Sequence, residues 1–342
     1  MSWFEDLVGF TESDPETVRR KLILEGSVLR STANERSFIC GRLEVSALQE
    51  IKARRPFASS NRPQLRLSEQ VGDVAKLHRE VDNAGALFQA ASQFNLLEMA
   101  SPNLTPEHGV GIYERDHTQG PACAISCGAG TIFRNYFVDI DGQIGQSSDR
   151  QVDCLSRIGK LLDNDQNGYW RMQNGYAFAT EDSLDALQQH LSSLPSEEIE
   201  DLERQLCVGI QWDTEVTTTD AAQLVSQVYC SALPIGYSIF EPASWEPFAR
   251  LILRATYGAT FGIAASNASR TGNNRVFLTL VGGGVFGNPP HWIEEAILAA
   301  AVDHMHYDLD CRIVSYGRSN DRIQKLVQEY EKSKAAAALF GK

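Results

Sequence analysis

The residues best suited to acid–base chemistry in this chain are Asp116, in the segment RDHTQGP, and Asp213 with Glu215, in the segment QWDTEVT. Carboxyl groups can divide the breaking of a polar bond between them: one protonates or holds the departing group while another orients and deprotonates water. Asp213 and Glu215 are two residues apart, so on an extended strand they point to the same side, as a common pocket requires. The same pattern also fits Asp116 as a cap on a helix that begins near Gly120, and the other two acids as a solvated strand end.

A second kind of chemistry is suggested by RVFLTLVGGGVFGNPPHWIEEAILAAA, residues 275–301. An apolar, β-branched segment with the composition of a buried strand runs into Gly282, Gly283, Gly284, Val285, Phe286, Gly287 and Asn288, and then into a helix opened by Pro289 and Pro290. Successive glycines let the backbone approach a ligand closely, and free amides near a helix start suit an anion such as a diphosphate. A tight strand-to-helix turn with no ligand has the same local pattern.

Several polar and aromatic residues are weaker candidates. Thr118 and Gln119 precede a helix, where they can donate to a phosphate or ribose or simply cap it. Gln227 is an amide inside the apolar run VSQVYCSALP, able to meet a ligand or to be satisfied by backbone. Phe286 and Tyr316 can stack on a ring or fill core. His291, His304 and His306 have no partners at metal-ligand spacing, and the cysteines form no CxxC pairs, so no metal is expected.

The 342-residue chain is 43% hydrophobic and carries a net charge of −13. That charge opposes a broad grip on nucleic acid, and any phosphate must be held locally, by backbone amides. No apolar run approaches the roughly 20 residues of a membrane span, the start MSWFEDLVGFTESD is acidic, and seven scattered cysteines read as reduced and buried. The expectation is a cytoplasmic protein with no membrane or nucleic-acid partner.

To position these residues the chain must build a sheet. Residues 1–65 read as a small α+β appendage, with a helix near Pro15 to Glu25, a hairpin through SVLRSTANERSFICGRLE and a helix from Ser46 to Arg55; RRPFASSNRP reads as a linker. LSEQVGDVAKLHREV follows as a helix-like pattern, ALFQAASQFNLLEM as a strand and ACAISCGAGTIFRNYF as a helix. A hairpin at RNYFVDIDGQIGQ, acidic helices from Asp182 to Leu206, the strand CVGIQWDTEVT, the helix SWEPFARLILRATYGATFGIAAS, the strand CRIVSYG and a closing helix complete the order, with residues 336–342 as a frayed tail. Strands alternating with helices predict a mixed, largely parallel sheet in a three-layer α/β/α arrangement over residues 66–335. The loops after FNLLEM and FLTLV lie at strand ends and line one crevice on that scheme.

At this point the residues resemble a known family. VFLTLVGGGVFGNPPHWIEEAILAA is similar to the diphosphate loop of macrodomains, and VGDVAKL with ALFQAASQFNLLEM resembles their opening pattern. The resemblance is to the poly(ADP-ribose) glycohydrolase-like branch that includes bacterial MavL-type ADP-ribosyl hydrolases. It implies an ADP-ribose ligand, an ADP-ribosylated protein as partner, no cofactor, an adenine contact from Asp73 and a distal-ribose contact from Asn95. That branch places adjacent catalytic glutamates in its first loop, whereas this loop disperses Glu107, Glu114 and Asp116. DTEVT with VSQVYCSALPIGY looks like the MavL-type proteins, which implies cleavage of arginine-linked mono-ADP-ribose with Asp213 and Glu215 as additional acids, beside Asp116 chosen for its place before a helix. A non-catalytic ADP-ribose reader needs only the glycine loop. A dinucleotide-dependent enzyme is disfavoured, because neither G-x-G-x-x-G spacing nor a G-K-[ST] lysine is present.

Overall fold

The computed structural model of the chain, which describes residues 2–58 and 60–340 with the Phe340 side chain excepted, has a seven-stranded mixed sheet at its centre. In chain order its strands are β1 (Arg42–Ala47), β2 (Arg66–Val71), β3 (Leu87–Ala91), β4 (Cys207–Glu215), β5 (Leu224–Cys230), β6 (Arg275–Leu278) and β7 (Asp310–Ser315). In space the order is β1-β4-β5-β3-β6-β7-β2. β4 runs antiparallel to both β1 and β5, and β5, β3, β6, β7 and β2 run parallel to one another. This is the mixed, largely parallel sheet flanked by helices that the element order predicts.

The central strands are buried on both faces, which is why their sequences are continuous hydrophobic runs. Phe88 of β3 and Phe277 of β6 are register partners whose rings stack at 4.5 Å. The one amide in β3, Gln89, is satisfied by donating to Thr260 Oγ1 at 2.8 Å and accepting from the Thr279 N–H at 3.1 Å. The helix Pro242–Thr271 opens on proline and ends at Gly272, whose left-handed φ of 76° returns its N–H to Ala268 O. It packs on the helices Leu48–Arg54 and Pro290–Asp303. Gly262 permits the first contact, since a Cβ there would stand 2.8 Å from the Ile51 side chain.

Local patterns misled in a few places. LSEQVGDVAKLHREV is not one helix: Arg66–Val71 joins the sheet edge beside β7, and only Val74–Arg79 is helical. ACAISCGAGTIFRNYF divides into Gln119–Ser126 and Gly128–Tyr136, because Cys127 adopts φ −116° and ψ 58°. The helix placed at Ser46 starts at Leu48, after Ala47 has completed β1. The one near Pro15 ends at Lys21, where a strand Leu22–Glu25 begins. Within the tail, residues 336–340 continue the helix Asp321–Phe340, and the last two positions lie outside the described residues.

Residue 65 is not a structural boundary. β1, from within the first 65 residues, pairs with β4 along the whole of its length. Phe4, Leu7, Val8, Val18, Leu29 and Phe38 share one buried cluster with Leu97, Met99, Tyr113, Ala129 and Ile132. Glu12 adds a polar tie, accepting the Val110 and Gly111 N–H groups at 2.8 and 2.6 Å and the Tyr136 hydroxyl at 2.7 Å. The first residues thus brace the loop that leads to Asp116.

Two buried histidines give the fold a pH signature. His78 stacks on Phe88 at 3.7 Å and His304 accepts from Arg55; in each, Nδ1 bonds the carbonyl four residues earlier. Burial holds both rings down at about 4, against an ordinary value of 6.5. The unfolded chain therefore takes up these protons first. Their contribution to stability is complete above pH 6.5 and is lost as pH falls toward about 4, on the order of 2–3 kcal/mol per ring. Urea titrations should show stability declining across that window, with a shallower slope in His304→Gln.

Candidate functional site

The parallel strands β3, β5 and β6 deliver their exit loops to one edge of the sheet, where they enclose a cleft of about 260 Å³. Its walls include Ser92, Gln93 and Glu98 after β3, Ala232 and Tyr237 after β5, and Gly282 to Phe286 after β6; Asp116, Thr118, Gln119 and Gly120 close the remaining side. The two loops singled out from the sequence do share one crevice.

The glycine loop is shaped by two left-handed positions, Gly282 at φ 79° and Gly287 at φ 69°. Asn288, 2% exposed, draws it shut: its N–H donates to Gly282 O at 2.9 Å and its Nδ2 to Leu233 O at 2.8 Å. Asn288 therefore braces the loop and does not line the cleft. Gly283 and Gly287 bond within the loop, and Gly236 N–H donates to Phe286 O at 2.8 Å. The N–H groups of Gly284, Val285 and Phe286 find no acceptor among the described residues. Consecutive unpaired amides of this kind form an anion-binding concavity. The following helix contributes little to it, since Pro289 and Pro290 at its start have no N–H to offer.

The opposite wall is a tight turn after β3. Leu96 takes φ 67°, Asn95 Oδ1 accepts the Leu97 N–H at 3.1 Å, and the Gln93 amide bonds both the N–H and the carbonyl of Met99. Asn95 Nδ2 is engaged by Gln151 at 2.8 Å, so Asn95 builds the turn and does not face the cleft as the ribose contact expected of it. What the turn presents is Glu98. This carboxyl group is 3% exposed, lines the cleft, and has a buried Oε1 with no hydrogen-bond partner. Burial pushes it well above the usual carboxylate range; the Arg134 guanidinium opposes that shift and the Asp116 carboxylate adds to it. Burial thus favours the protonated, proton-donating form of Glu98. Gly120 makes room for it, because a Cβ there would collide with Ala91 O and Glu98 Oε2.

Asp116 borders the same cleft, its Oδ1 accepting the Thr118 N–H at 2.9 Å. Gln119 is committed to β3, accepting from the Ala91 N–H at 3.0 Å and donating to Gln89 O at 2.8 Å. Tyr176, Tyr237 and Phe286 form an aromatic wall, with centroids 5.2 to 5.9 Å apart and the Tyr176 hydroxyl anchored on Met99 O. Rings so placed offer a face on which a sugar or base can stack.

Asp213 and Glu215 stand elsewhere. β4 is antiparallel to β5, and Glu215 pairs with Leu224 at the start of β5, whereas the cleft gathers beyond Cys230 at its end. The intervening strand puts roughly 20 Å between them. The expected same-side alternation also fails, because the register shifts between Gln211 and Thr214 and Asp213 takes φ 53°. Asp213 pairs with Arg270, and Glu215 accepts the Ile39 N–H at 2.8 Å. Gln227 is likewise internal, donating to Cys123 O at 2.9 Å and accepting from Tyr229. Asp73 caps the helix Val74–Arg79. Tyr316, 83% exposed, borders a neighbouring cavity with Leu280 and Arg318. Among the described residues no His, Cys, Asp or Glu group could hold a metal, all seven cysteines are free and buried, and no helix is long and apolar enough to cross a membrane.

No protein-family model matches the sequence, and no curated protein matches it. Among solved structures the chain is similar to poly(ADP-ribose) glycohydrolase from Deinococcus radiodurans in complex with ADP-ribose, at 12% identity and a TM-score of 0.40 over 86% of this chain and 95% of that one. It is similar to the glycohydrolase from Thermomonospora curvata at 13% identity and a TM-score of 0.44, over 92% and 95% of the two chains. The same enzyme bound to the inhibitor ADP-HPD gives 14% identity and a TM-score of 0.42 over the same shares. Likenesses of this size leave the site to be judged on its own residues.

The glycines separate two effects. Nothing stands within 4 Å of a Cβ at Gly284, so Gly284→Glu should fold normally, keep its melting temperature and lose calorimetric binding of ADP-ribose, because an anionic side chain then occupies the amide cradle. Gly120→Val, which collides with β3 and Glu98, should instead lower the melting temperature.

Proposed function

We propose that this protein is an ADP-ribosyl hydrolase of macrodomain type, which releases ADP-ribose from modified protein side chains. The observation that carries the proposal is Glu98: a buried, unpartnered carboxyl group, held toward its protonated form by burial, that shares a cleft with a second acid, Asp116, and with three open amides. The sequence resemblance to the macrodomain diphosphate loop supports ADP-ribose as the ligand, with the amides of Gly284 to Phe286 on the diphosphate and the aromatic wall against a ribose or the base.

In this mechanism the bond from the anomeric carbon of the distal ribose to the side-chain atom breaks through a cation-like transition state. The departing atom keeps the bonding pair and takes the Glu98 proton. Water bonds to the anomeric carbon and gives its proton to the Asp116 carboxylate, whose negative charge also stabilises the sugar cation. Solvent then returns a proton to Glu98 and removes one from Asp116.

The finer part of the proposal is an arginine linkage, in which the departing guanidine nitrogen receives that proton and the Asp116 carboxylate can hold the remaining N–H groups. Asp213 and Glu215 have no part in it.

Glu98→Gln tests the assignment. The variant should keep its affinity for ADP-ribose and lose turnover on arginine-linked ADP-ribose by on the order of 10²–10⁴-fold, while Asp213→Ala leaves turnover unchanged. In the wild type the rate should fall as pH rises through the elevated Glu98 value, since the proton donor is then lost. The same sign holds for stability: the neutral carboxyl stabilises the fold fully below pH 4.5, and this is lost as pH rises through the folded-state value, so Glu98→Gln should gain stability relative to wild type in alkaline solution. Tight ADP-ribose binding with no release from arginine, serine or glutamate linkages would make the protein a reader and end the hydrolase proposal.

A further inference from the structure

Against the turn that presents Glu98 lies a buried cation with no ion-pair partner among the described residues. Arg134, on the helix Gly128–Tyr136, is 1% exposed and stacks on the Tyr229 ring, 3.6 Å from its centroid. Its Nε donates to Leu96 O at 3.2 Å and its Nη2 to Thr131 Oγ1 at 3.0 Å. Its Nη1 is buried and has no acceptor, and Arg134 takes part in no ion pair among the described residues. Burying an unpaired guanidinium is costly.

The nearby orphan of complementary kind is Glu98 Oε1, two residues beyond the Leu96 carbonyl that Arg134 holds. The groups that face Glu98 are the Asp116 carboxylate, the Tyr113 hydroxyl that accepts the Glu98 N–H, the Cys123 thiol, the Tyr176 and Tyr229 hydroxyls and Arg134. Only Arg134 is positively charged.

We propose that Arg134 is a positioning residue that fixes the Leu96–Glu98 turn and supplies the counter-charge for Glu98 once that carboxyl has given up its proton. This rests on Glu98 as the proton donor of the cleft. Before transfer, Arg134 Nη1 has no acceptor and Glu98 Oε1 has no donor. When the proton leaves for the departing group, an anion appears on a buried side chain, and the guanidinium that already holds the turn stabilises it without reorganising. Were the cation absent, the acid would be weaker and its ionised form harder to reach.

The test uses the full chain and does not depend on turnover. The carboxyl C=O infrared band of Glu98, assigned by its loss in Glu98→Gln, is titrated against pH in wild type, Arg134→Lys and Arg134→Met. Arg134→Met should shift the midpoint upward by about one pH unit or more, while Arg134→Lys, which retains the charge, stays nearer to wild type. Equal midpoints in wild type and folded Arg134→Met, or equal shifts in Met and Lys, overturn the proposal. Should Arg134→Met fail to fold, nitrogen-15 spectra of the wild-type arginines decide: the Arg134 side-chain resonances must titrate with the Glu98 band and stop doing so in Glu98→Gln, and constant resonances overturn it. A wild type that shows this coupling but cleaves no ADP-ribosyl bond would sink the hydrolase proposal alone.

Discussion

Because β5, β3, β6, β7 and β2 run parallel, each must leave the sheet at the same edge; after β3 the chain returns through the antiparallel β4, and helical crossovers join β2 to β3, β5 to β6 and β6 to β7. That single constraint assembles the cleft. The turn after Ala91, the segment after Cys230 and the glycine loop after Leu278 meet there although they are far apart in the chain. β4 runs the other way, and for that reason its terminal acids finish at the opposite edge. Residues 4–40 then pack beneath the loops on the cleft side, so the amino-terminal segment supports the site without entering it.

Within the cleft, charge is handled by dehydration more than by abundance. The chain carries a net charge of −13, yet its anion cradle consists of backbone amides, which need no lysine. Glu98 would repel a diphosphate if it were ionised; burial favours its neutral form, which can share a cleft with an anionic ligand and serve as a proton source. Gly120, Ala91 and the Gln93–Met99 pairing leave the acid no room to relax toward water. The asymmetry between a buried Glu98 and the more open Asp116 is of the kind that separates proton donor from base in a hydrolytic pair.

Much of this was legible in the residues. The glycine loop, its flanking strand and helix, the mixed sheet and the shared crevice follow from periodicity, glycine placement and element order, which are local signals. Glu98 was not, although it lies within FNLLEM: its apolar neighbours read as strand interior, and nothing local shows that the strand stops at Ala91 and turns. Asn95, Gln227 and Asn288 have the residue type of ligand contacts, but each is consumed by partners distant in sequence or across a loop. Asp213 and Glu215 were misplaced for a different reason. Strand direction relative to neighbours, and a register shift inside the strand, are properties of pairing and cannot be read from one strand.

The sequence by itself therefore determined where a phosphate-holding loop stands and which segments must surround it, because glycines, prolines and hydrophobic periodicity act through the nearest few bonds. Which acid belongs to the cleft, and which way its proton affinity is pushed, was decided only by the tertiary structure. Burial of Glu98, its distance from water, its lack of a partner and the cation behind it are sums over residues 91 to 134 and the strand at 229, brought together by packing. A carboxyl group has the same letter whether exposed or dry, and only its surroundings make it an acid.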